Sequence, residues 1–149
     1  MKIKQEFYDD VAEDMKSLIE AHWDEIALNK DKIKLNPDWD KYKQLEGLGN
    51  LKIFTVRNDS DLVGYFICTV GSNLHYKDHT FAVNDVLFLH KDYRKGLTGA
   101  KLIKFAEKCL REDGVSVLVI NTKVHQPFDK LMEFLGFNLT ERVYSKYIR

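Results

Sequence analysis

The chain has 149 residues, which is enough for a single domain around one hydrophobic core. Hydrophobic residues make up 44% and charged residues 31%, a balance that excludes a disordered or fibrous chain. The 23 Lys and Arg residues offset the 23 Asp and Glu residues, so the basic excess typical of nucleic-acid-binding proteins is missing. We therefore predict one domain spanning residues 1–149 that has no nucleic-acid partner.

The first half of the chain predicts two helices followed by antiparallel strands. An amphipathic pattern covers 9–28, and a shorter helix is predicted over 38–46, after Pro37. The β-branched and aromatic runs 51–56 and 62–70 flank a polar turn and predict a hairpin. A third run of this kind, 80–89, predicts three antiparallel strands in a row.

The second half of the chain alternates helix and strand. A helical pattern begins at Thr98 and ends at Asp113-Gly114, and the nearly continuous apolar run 115–120 predicts a strand buried on both faces. A short helix over 127–135 and a final strand region over 138–148 complete the chain. The order of elements predicts an α/β fold with a mixed sheet.

Metal, disulfide and membrane signals are missing. Cys68 and Cys109 fall in a predicted strand and a predicted helix, where free Cys behaves as a small buried hydrophobe. His75 and His79 have the spacing of one helix face but lie in a predicted strand end and loop, so no metal site is predicted. No apolar run approaches the roughly 18 residues that a membrane helix needs. We expect a cytoplasmic protein without a membrane partner.

The segment 85–100 carries the clearest chemical signal. A strand runs into a basic turn that opens directly into an amphipathic helix. Backbone N–H groups at a helix N-terminus are unpaired and favour an anion, so such a turn can hold a phosphate or pyrophosphate. Arg94 and Lys95 add positive charge, and Gly96 and Gly99 allow close approach. The alternative is that the two glycines only shape a turn.

The same segment resembles a family signature. In the GNAT superfamily of acetyl-CoA-dependent N-acetyltransferases, Q/R-x-x-G-x-G/A joins the fourth strand to the third helix. Arg94 matches the first position and Gly99 the last, whereas the middle glycine, Gly96, falls one residue early. Leu135-Gly136-Phe137 resembles the L-G-F that ends the family's fourth helix. The order of elements agrees over nearly the whole chain.

More narrowly, the stretches 22–25, 84–87, 94–99 and 141–146 are similar to small GNAT proteins often encoded by tailed phages. The resemblance implies an α/β (α+β) fold with a mixed, mainly antiparallel sheet of six to seven strands flanked by about four helices. It implies acetyl-CoA as co-substrate without a metal, and a primary amine of a small molecule or protein as acceptor. A possible homodimer, and the host cytoplasm if the protein is phage-encoded, are further implications.

In this family the donor's pyrophosphate lies on the turn, and its pantetheine arm lies in a gap between the fourth and fifth strands. Carried onto this chain, the resemblance implies cofactor contacts from the turn, from the strand before it and from the segment after the next strand. These residues are Arg94, Lys95, Gly96, Leu97, Thr98, Gly99 and Ala100; Leu87, Phe88 and Leu89; and Asn121, Lys123, His125 and Phe128.

The implied reaction is direct attack of the amine on the thioester in a ternary complex, with a strand N–H near Leu89 stabilising the oxyanion. Asp85 is the candidate base, because strand alternation places it on the face of Leu87 and Leu89. The alternative for Asp85 is a structural cap or ion pair. The residues predicted to bind the acceptor are His22, Trp23, Glu25 and Asp85. For His22 the alternative is a hydrogen-bonded, partly buried core residue.

One family position departs from its pattern. The family usually has a Tyr as general acid four residues before the Gly of L-G-F, and this chain has Met132 there. Tyr144 is the candidate replacement, with His125 as a second possibility. A missing general acid costs about 10²–10⁴-fold in rate. A second hypothesis is therefore a non-catalytic CoA-binding or interaction module with the same fold, and a third is a nucleotide-binding α/β protein.

Overall fold

A five-stranded sheet with helices on both faces forms the centre of the molecule. The structure is a computed structural model that describes all residues from Met1 to Arg149. In chain order its elements are β1 (Lys2–Glu6), α1 (Tyr8–Ile26), α2 (Trp39–Gly47), β2 (Leu51–Asn58), β3 (Asp61–Asn73), β4 (Tyr76–Leu89), a 3₁₀ turn (Lys91–Tyr93), α3 (Thr98–Glu112), β5 (Val115–Val119) and α4 (Asp129–Phe134).

The strands follow one another across the sheet in the order β1-β2-β3-β4-β5. The first four are antiparallel to their neighbours, while β5 runs parallel to β4. Parallel neighbours need a crossover connection, and α3 provides it. The turn that precedes α3 therefore lies at the C-terminal end of β4, beyond the residues Thr80–Val83 that pair with β5.

Different helices cover the two faces of the sheet. Along β2, Ile53 packs towards α1 and Phe54 towards α3, as the two-residue period of a strand requires. On β3, Tyr65 and Phe66 repeat this arrangement. All of these side chains are buried, so β2 and β3 are central strands.

The predicted amphipathic patterns of α1 and α3 are confirmed. On α1 the buried residues are Tyr8, Val11, Ala12, Met15, Ile19 and His22, and on α3 they are Ala100, Leu102, Ile103, Ala106 and Leu110. Both sets recur at the three- and four-residue spacing of one helix face. None of the helices combines the length and the hydropathy that a membrane crossing requires.

The predicted mixed, mainly antiparallel sheet with about four helices is confirmed, but six to seven strands is wrong. The final strand predicted over 138–148 does not form, because the segment pairs with no strand edge and its apolar side chains are exposed. For the same reason β5 is an edge strand rather than one buried on both faces, and its Val117 is 39% exposed. The N-terminal strand β1 was not predicted.

A charged network ties β1 and β2 to α1. Arg57 on β2 donates from Nε to Oε2 of Glu6 at 2.8 Å and from Nη1 to Oδ2 of Asp14 at 2.9 Å. The Thr55 hydroxyl also donates to Glu6. Burial would raise the pKa of Glu6, but the hydrogen bonds and positive charges around it hold that pKa below its ordinary value. The network is charge-paired and hydrogen-bonded, as buried ions require.

Candidate functional site

The gap between β4 and β5 opens at Asn84. On β4, pairing with β5 extends only from Thr80 to Val83. Beyond that point the Asn84 side chain replaces the backbone pairing. Its Oδ1 accepts from the Asn121 N–H at 2.7 Å, and its Nδ2 donates to the Asn121 carbonyl at 3.2 Å. An inserted side chain separates two backbones further than a direct ladder bond does. The rest of β4 therefore has one open edge.

The open edge of β4 presents backbone groups of alternate residues. The His90 N–H donates to the Val63 carbonyl on β3 at 2.8 Å. Backbone groups alternate in direction along an antiparallel strand, so those of Phe88 also face β3. The N–H groups of Leu87 and Leu89 consequently point into the gap. This is the position at which the sequence resemblance implies pantetheine and oxyanion contacts.

A β-bulge at Asp85 changes the predicted orientation of this side chain. Ile67 on β3 is opposite Val86, whereas the next residue, Cys68, is opposite Asn84, so Asp85 is the extra residue. The prediction that Asp85 shares a face with Leu87 and Leu89 is wrong, because the bulge interrupts the alternation. Those leucines pack on the α3 face, and Asp85 lies on the α1–α2 face instead.

On that face, Asp85 is held by α2. The Tyr42 hydroxyl donates a hydrogen bond to Oδ2 of Asp85, and no protein group donates to Oδ1. Burial, and then the hydrogen bond and charge of Asp85, raise the pKa of Tyr42 well above its ordinary value. Tyr42 therefore stays protonated and fixes the carboxylate as a hydrogen-bond acceptor.

The turn between β4 and α3 forms a cradle of backbone donors. No protein acceptor pairs with the N–H groups of residues 95–100, and the first helical bond of α3 runs from Lys101 to Leu97. The cap residue Leu97 offers no side-chain bond to the helix. Six consecutive unpaired donors at the positive end of a helix suit a phosphate or pyrophosphate group.

The glycines of the turn leave space around these donors. Gly96 adopts φ +80°, a conformation that favours glycine. A Cβ at Gly99 would meet only a methyl group of Leu131, at an ordinary 3.7 Å. Glycine inside a helix costs about 1 kcal/mol relative to alanine, and packing within the protein does not require it here. The space above Gly99 is therefore open to a ligand.

The Arg94 side chain turns away from the cradle. Its Nε donates to the Leu89 carbonyl at 2.6 Å, and its Nη2 donates to Oε2 of Glu25 on α1 at 2.6 Å. The guanidinium also lies over the Phe88 ring, 5.4 Å from the ring centroid. Arg94 thus joins the end of β4 to the end of α1, and Glu25 already has a cation partner.

A second link joins the end of α1 to the other wall of the gap. The residues after β5 form a tight turn in which the Gln126 N–H donates to the Lys123 carbonyl at 3.0 Å. His125, in this turn, donates from Nε2 to the Ile26 carbonyl at 3.0 Å. The end of α1 therefore bridges both walls of the gap.

A small cavity of about 70 Å³ lies beneath this bridge. It is lined by His22, Ile26, Asn84, Asp85, Val86, Leu87, Asn121, Lys123, Gln126 and Phe128. The buried His22 ring stacks on Phe88 with centroids 4.7 Å apart, and its Nδ1 is 2.9 Å from the Tyr65 hydroxyl. Burial lowers the pKa of His22 to about 4, so its imidazole is neutral at pH 7.

The structure brings most of the sequence-predicted residues to this region. Asn121, Lys123 and Phe128 line the cavity together with Asp85 and His22. The donor-side residues Lys95, Gly96, Leu97, Thr98, Gly99 and Ala100 form the cradle.

Two predicted residues lie elsewhere. Tyr144 is 89% exposed in the segment that forms no strand, so the structure does not bring it to the cavity. The Trp23 ring lies against the Lys30 ammonium group outside the cavity. Met132 is buried, and no tyrosine lines the cavity.

Three residues that form side-chain hydrogen bonds within the site were not predicted from the sequence. Tyr42 and Tyr65 hydrogen-bond to Asp85 and His22, respectively, each across 43 positions of sequence. Asn84 begins the gap. No local pattern marks such long-range partners, although a polar Asn in an apolar strand run is a signal that ladder pairing can stop there.

Solved acetyltransferase structures have the same fold. An aminoglycoside acetyltransferase from an uncultured soil metagenomic sample, in complex with sisomicin, superposes with a TM-score of 0.77 at 17% identity, over 99% of this chain and 95% of that chain. An aminoglycoside N-acetyltransferase in complex with CoA gives 0.72 at 16% identity, over 99% of each chain.

A ribosomal-protein-alanine N-acetyltransferase from Brucella melitensis gives a TM-score of 0.72 at 18% identity, over 99% of this chain and all of the other. The sequence matches no protein-family model and none of the curated proteins. At these identities the comparisons establish a fold like that of GNAT-family acetyltransferases. Nothing in them indicates a phage origin.

Proposed function

We propose that this protein is an N-acetyltransferase that transfers the acetyl group of acetyl-CoA to a primary amine. The observation that carries the proposal is the cradle of unpaired N–H groups over residues 95–100, placed at the mouth of the gap between β4 and β5. A ligand with a pyrophosphate and an amide-bearing arm requires N–H groups that bind the anion and an adjacent open strand edge that binds the arm. The CoA complex of a structural neighbour supports the same interpretation.

The donor's pyrophosphate is assigned to this cradle. The space above Gly99 admits it, and the helix dipole of α3 favours its charge. Its pantetheine arm is assigned to the open edge of β4, where the N–H groups of Leu87 and Leu89 are free to donate to amide oxygens. The Arg94 N–H donates to the Lys91 carbonyl and is not part of the cradle, but the Arg94 side chain bonds Leu89 and Glu25 and so holds the strand end and α1 together.

Transfer needs an oxyanion donor and a base. A strand N–H at Leu87 or Leu89, already aimed into the gap, stabilises the oxygen that becomes negative when the amine attacks the thioester carbonyl. At its unpaired Oδ1, Asp85 accepts the proton that the acceptor's ammonium group loses, which leaves the neutral amine to attack the thioester. Tyr42 is a positioning residue, because it orients the carboxylate and does not touch the reacting atoms in this scheme.

The leaving thiolate has no tyrosine donor in the cavity. A CoA thiolate is a tolerable leaving group near neutral pH, so solvent can protonate it after the C–S bond breaks. His125 is tied to the Ile26 carbonyl through Nε2 and is not assigned this role.

A thiol-release assay tests the proposal. The purified protein is incubated with acetyl-CoA and a panel of primary amines, and free CoA thiol is measured against a no-amine control. We expect amine-dependent thiol release that saturates with acetyl-CoA and falls by about 10²–10⁴-fold in Asp85→Asn. Acetyl-CoA binding without amine-dependent release would favour the alternative, a non-catalytic CoA-binding module, for which Met132 and the ion-paired Glu25 are the supporting observations.

A further inference from the structure

The walls of the small cavity carry one carboxylate and one ammonium group. Asp85 is on the β4 side and Lys123 on the side of the turn after β5. The other charged groups that act on His22 are Glu25 and Arg94, which neutralise each other at 2.6 Å. His22 itself is neutral at pH 7. The cavity therefore presents separate negative and positive groups to a single ligand.

The Lys123 ammonium group has no acidic partner. It takes part in none of the ion pairs of the chain. Its backbone is nevertheless fixed, because Lys123 is paired with Gln126 across the turn and His125 anchors that turn to Ile26. The Lys123 side chain is exposed at the cavity wall, and a cation without a counter-charge at that position can bind an anionic group of a ligand at the mouth.

The size of the cavity limits what lies inside it. At about 70 Å³ the cavity is much smaller than the roughly 300–1,000 Å³ of a pocket that encloses a whole drug-sized ligand. It therefore encloses only the amino end of an acceptor, with the rest of the acceptor at the mouth. A polycation would place its additional ammonium groups against Lys123, where like charges repel.

We infer that the acceptor is a small amine that carries an acidic group, a carboxylate or a phosphate, close to its amino group. Its ammonium group binds Asp85 and its acidic group binds Lys123. This inference rests on the proposed function and names the acceptor class. It separates this chain from structural neighbours whose bound molecules are aminoglycosides such as sisomicin.

Matched amine pairs test the inference. β-Alanine is compared with β-alaninamide, and phosphoethanolamine with ethanolamine, with spermidine as the polycation. The kcat/KM for thiol release is measured for each amine, and its binding to the protein–CoA complex is measured by calorimetry. We expect at least a tenfold preference for the acidic member of one pair, and the pair with the larger difference distinguishes carboxylate from phosphate.

Charge variants locate the preference. Lys123→Glu should abolish it and favour the neutral amines and spermidine, whereas Lys123→Arg should retain it. Lys77→Glu is the matched control, because it makes the same charge change on an exposed residue at the opposite end of β4 and should leave the preference unchanged.

Each outcome bears on the inference. Equal rates within both pairs, or faster acetylation of spermidine, would overturn it while leaving the acetyltransferase function intact. If acetyl-CoA does not bind to the folded protein, the proposed function fails, and the acceptor class fails with it. If the donor binds and no amine reacts, the calorimetry decides, since acidic amines that bind no better than their neutral partners contradict the inference.

Discussion

The hydroxyl of Tyr42 on α2 donates a hydrogen bond to the carboxylate of Asp85 on β4, at the bulge beside the open gap. Through this bond a helix that lies outside the gap orients the candidate base within it. The Asp85 side chain is exposed on a bulged residue, and without this bond it would have no fixed direction.

Removing the carboxylate tests its role as base. We expect Asp85→Asn to lower kcat by about 10²–10⁴-fold, the range for loss of a positioned acid or base. The Kd for acetyl-CoA should stay within twofold of the wild-type value, because the carboxylate does not contact the cradle. A kcat within threefold of wild type would exclude Asp85 as the base. Thermal unfolding of the variant checks that it is folded.

Tyr42→Phe tests positioning without removing the base. Hydrogen bonds to charged groups contribute about 1.5–3 kcal/mol, so we expect kcat to fall by about tenfold or more. The KM for acetyl-CoA should be unchanged. A variant whose only defect is lower thermal stability would assign Tyr42 a structural role alone.

Gly99→Ala should affect stability and donor binding in opposite directions. Alanine is the better helix former by up to about 1 kcal/mol, and its Cβ meets only Leu131 at 3.7 Å, so Tm should rise. The same methyl group crowds the cradle, so the Kd for acetyl-CoA should increase several-fold. The matched control is Gly47→Ala on α2, where a Cβ meets nothing within 4 Å. That variant should not weaken donor binding.

Because His22 is buried, we expect the folded protein to lose stability in mild acid. Burial lowers its pKa to about 4 in the folded protein, from an ordinary value of 6.5. Between these values the unfolded chain binds the proton and the folded chain does not, so the free energy of unfolding falls as pH decreases from 6.5 to 4. At about 1.4 kcal/mol per pH unit, the full effect is about 3 kcal/mol.

Denaturant titrations at pH 7 and pH 4.5 measure this effect. We expect the wild type to lose more stability than His22→Gln over this interval, because glutamine has no proton to bind at this buried position. Equal losses in the two proteins would show that another group is responsible. The lowered pKa of Glu6 contributes below this window, since its stabilisation is present above about pH 4.5 and is lost as pH falls further.

Local periodicity predicts much of this fold. Patterns among residues close in sequence indicate the apolar stripes of α1 and α3 and the apolar runs of β2, β3 and β4. The basic turn between β4 and α3 is visible in the sequence in the same way. The bulge at Asp85 cannot be predicted in this way. One extra residue hardly changes the residue types of a strand, yet it reverses the face on which the neighbouring side chains lie.

Tertiary partners explain the remaining errors. An alternating segment becomes a strand only when it pairs with a sheet edge, and 138–148 pairs with none in this structure, although β5 leaves one edge free. Glu25 stays a predicted acceptor contact, and its ion-pair partner Arg94, 69 positions away, could not be predicted from the sequence. The partner of a charged side chain across the fold is not encoded in the residues around it.

The most direct test of donor binding is a calorimetric titration of the wild-type protein with acetyl-CoA, repeated on the double variant Arg94→Glu/Gly99→Trp. We expect micromolar binding to the wild type, with competition by free CoA, and no detectable binding to a folded double variant. Absence of binding to the correctly folded wild type at millimolar acetyl-CoA would contradict the proposed function, and the fold would then serve a function other than acetyl transfer.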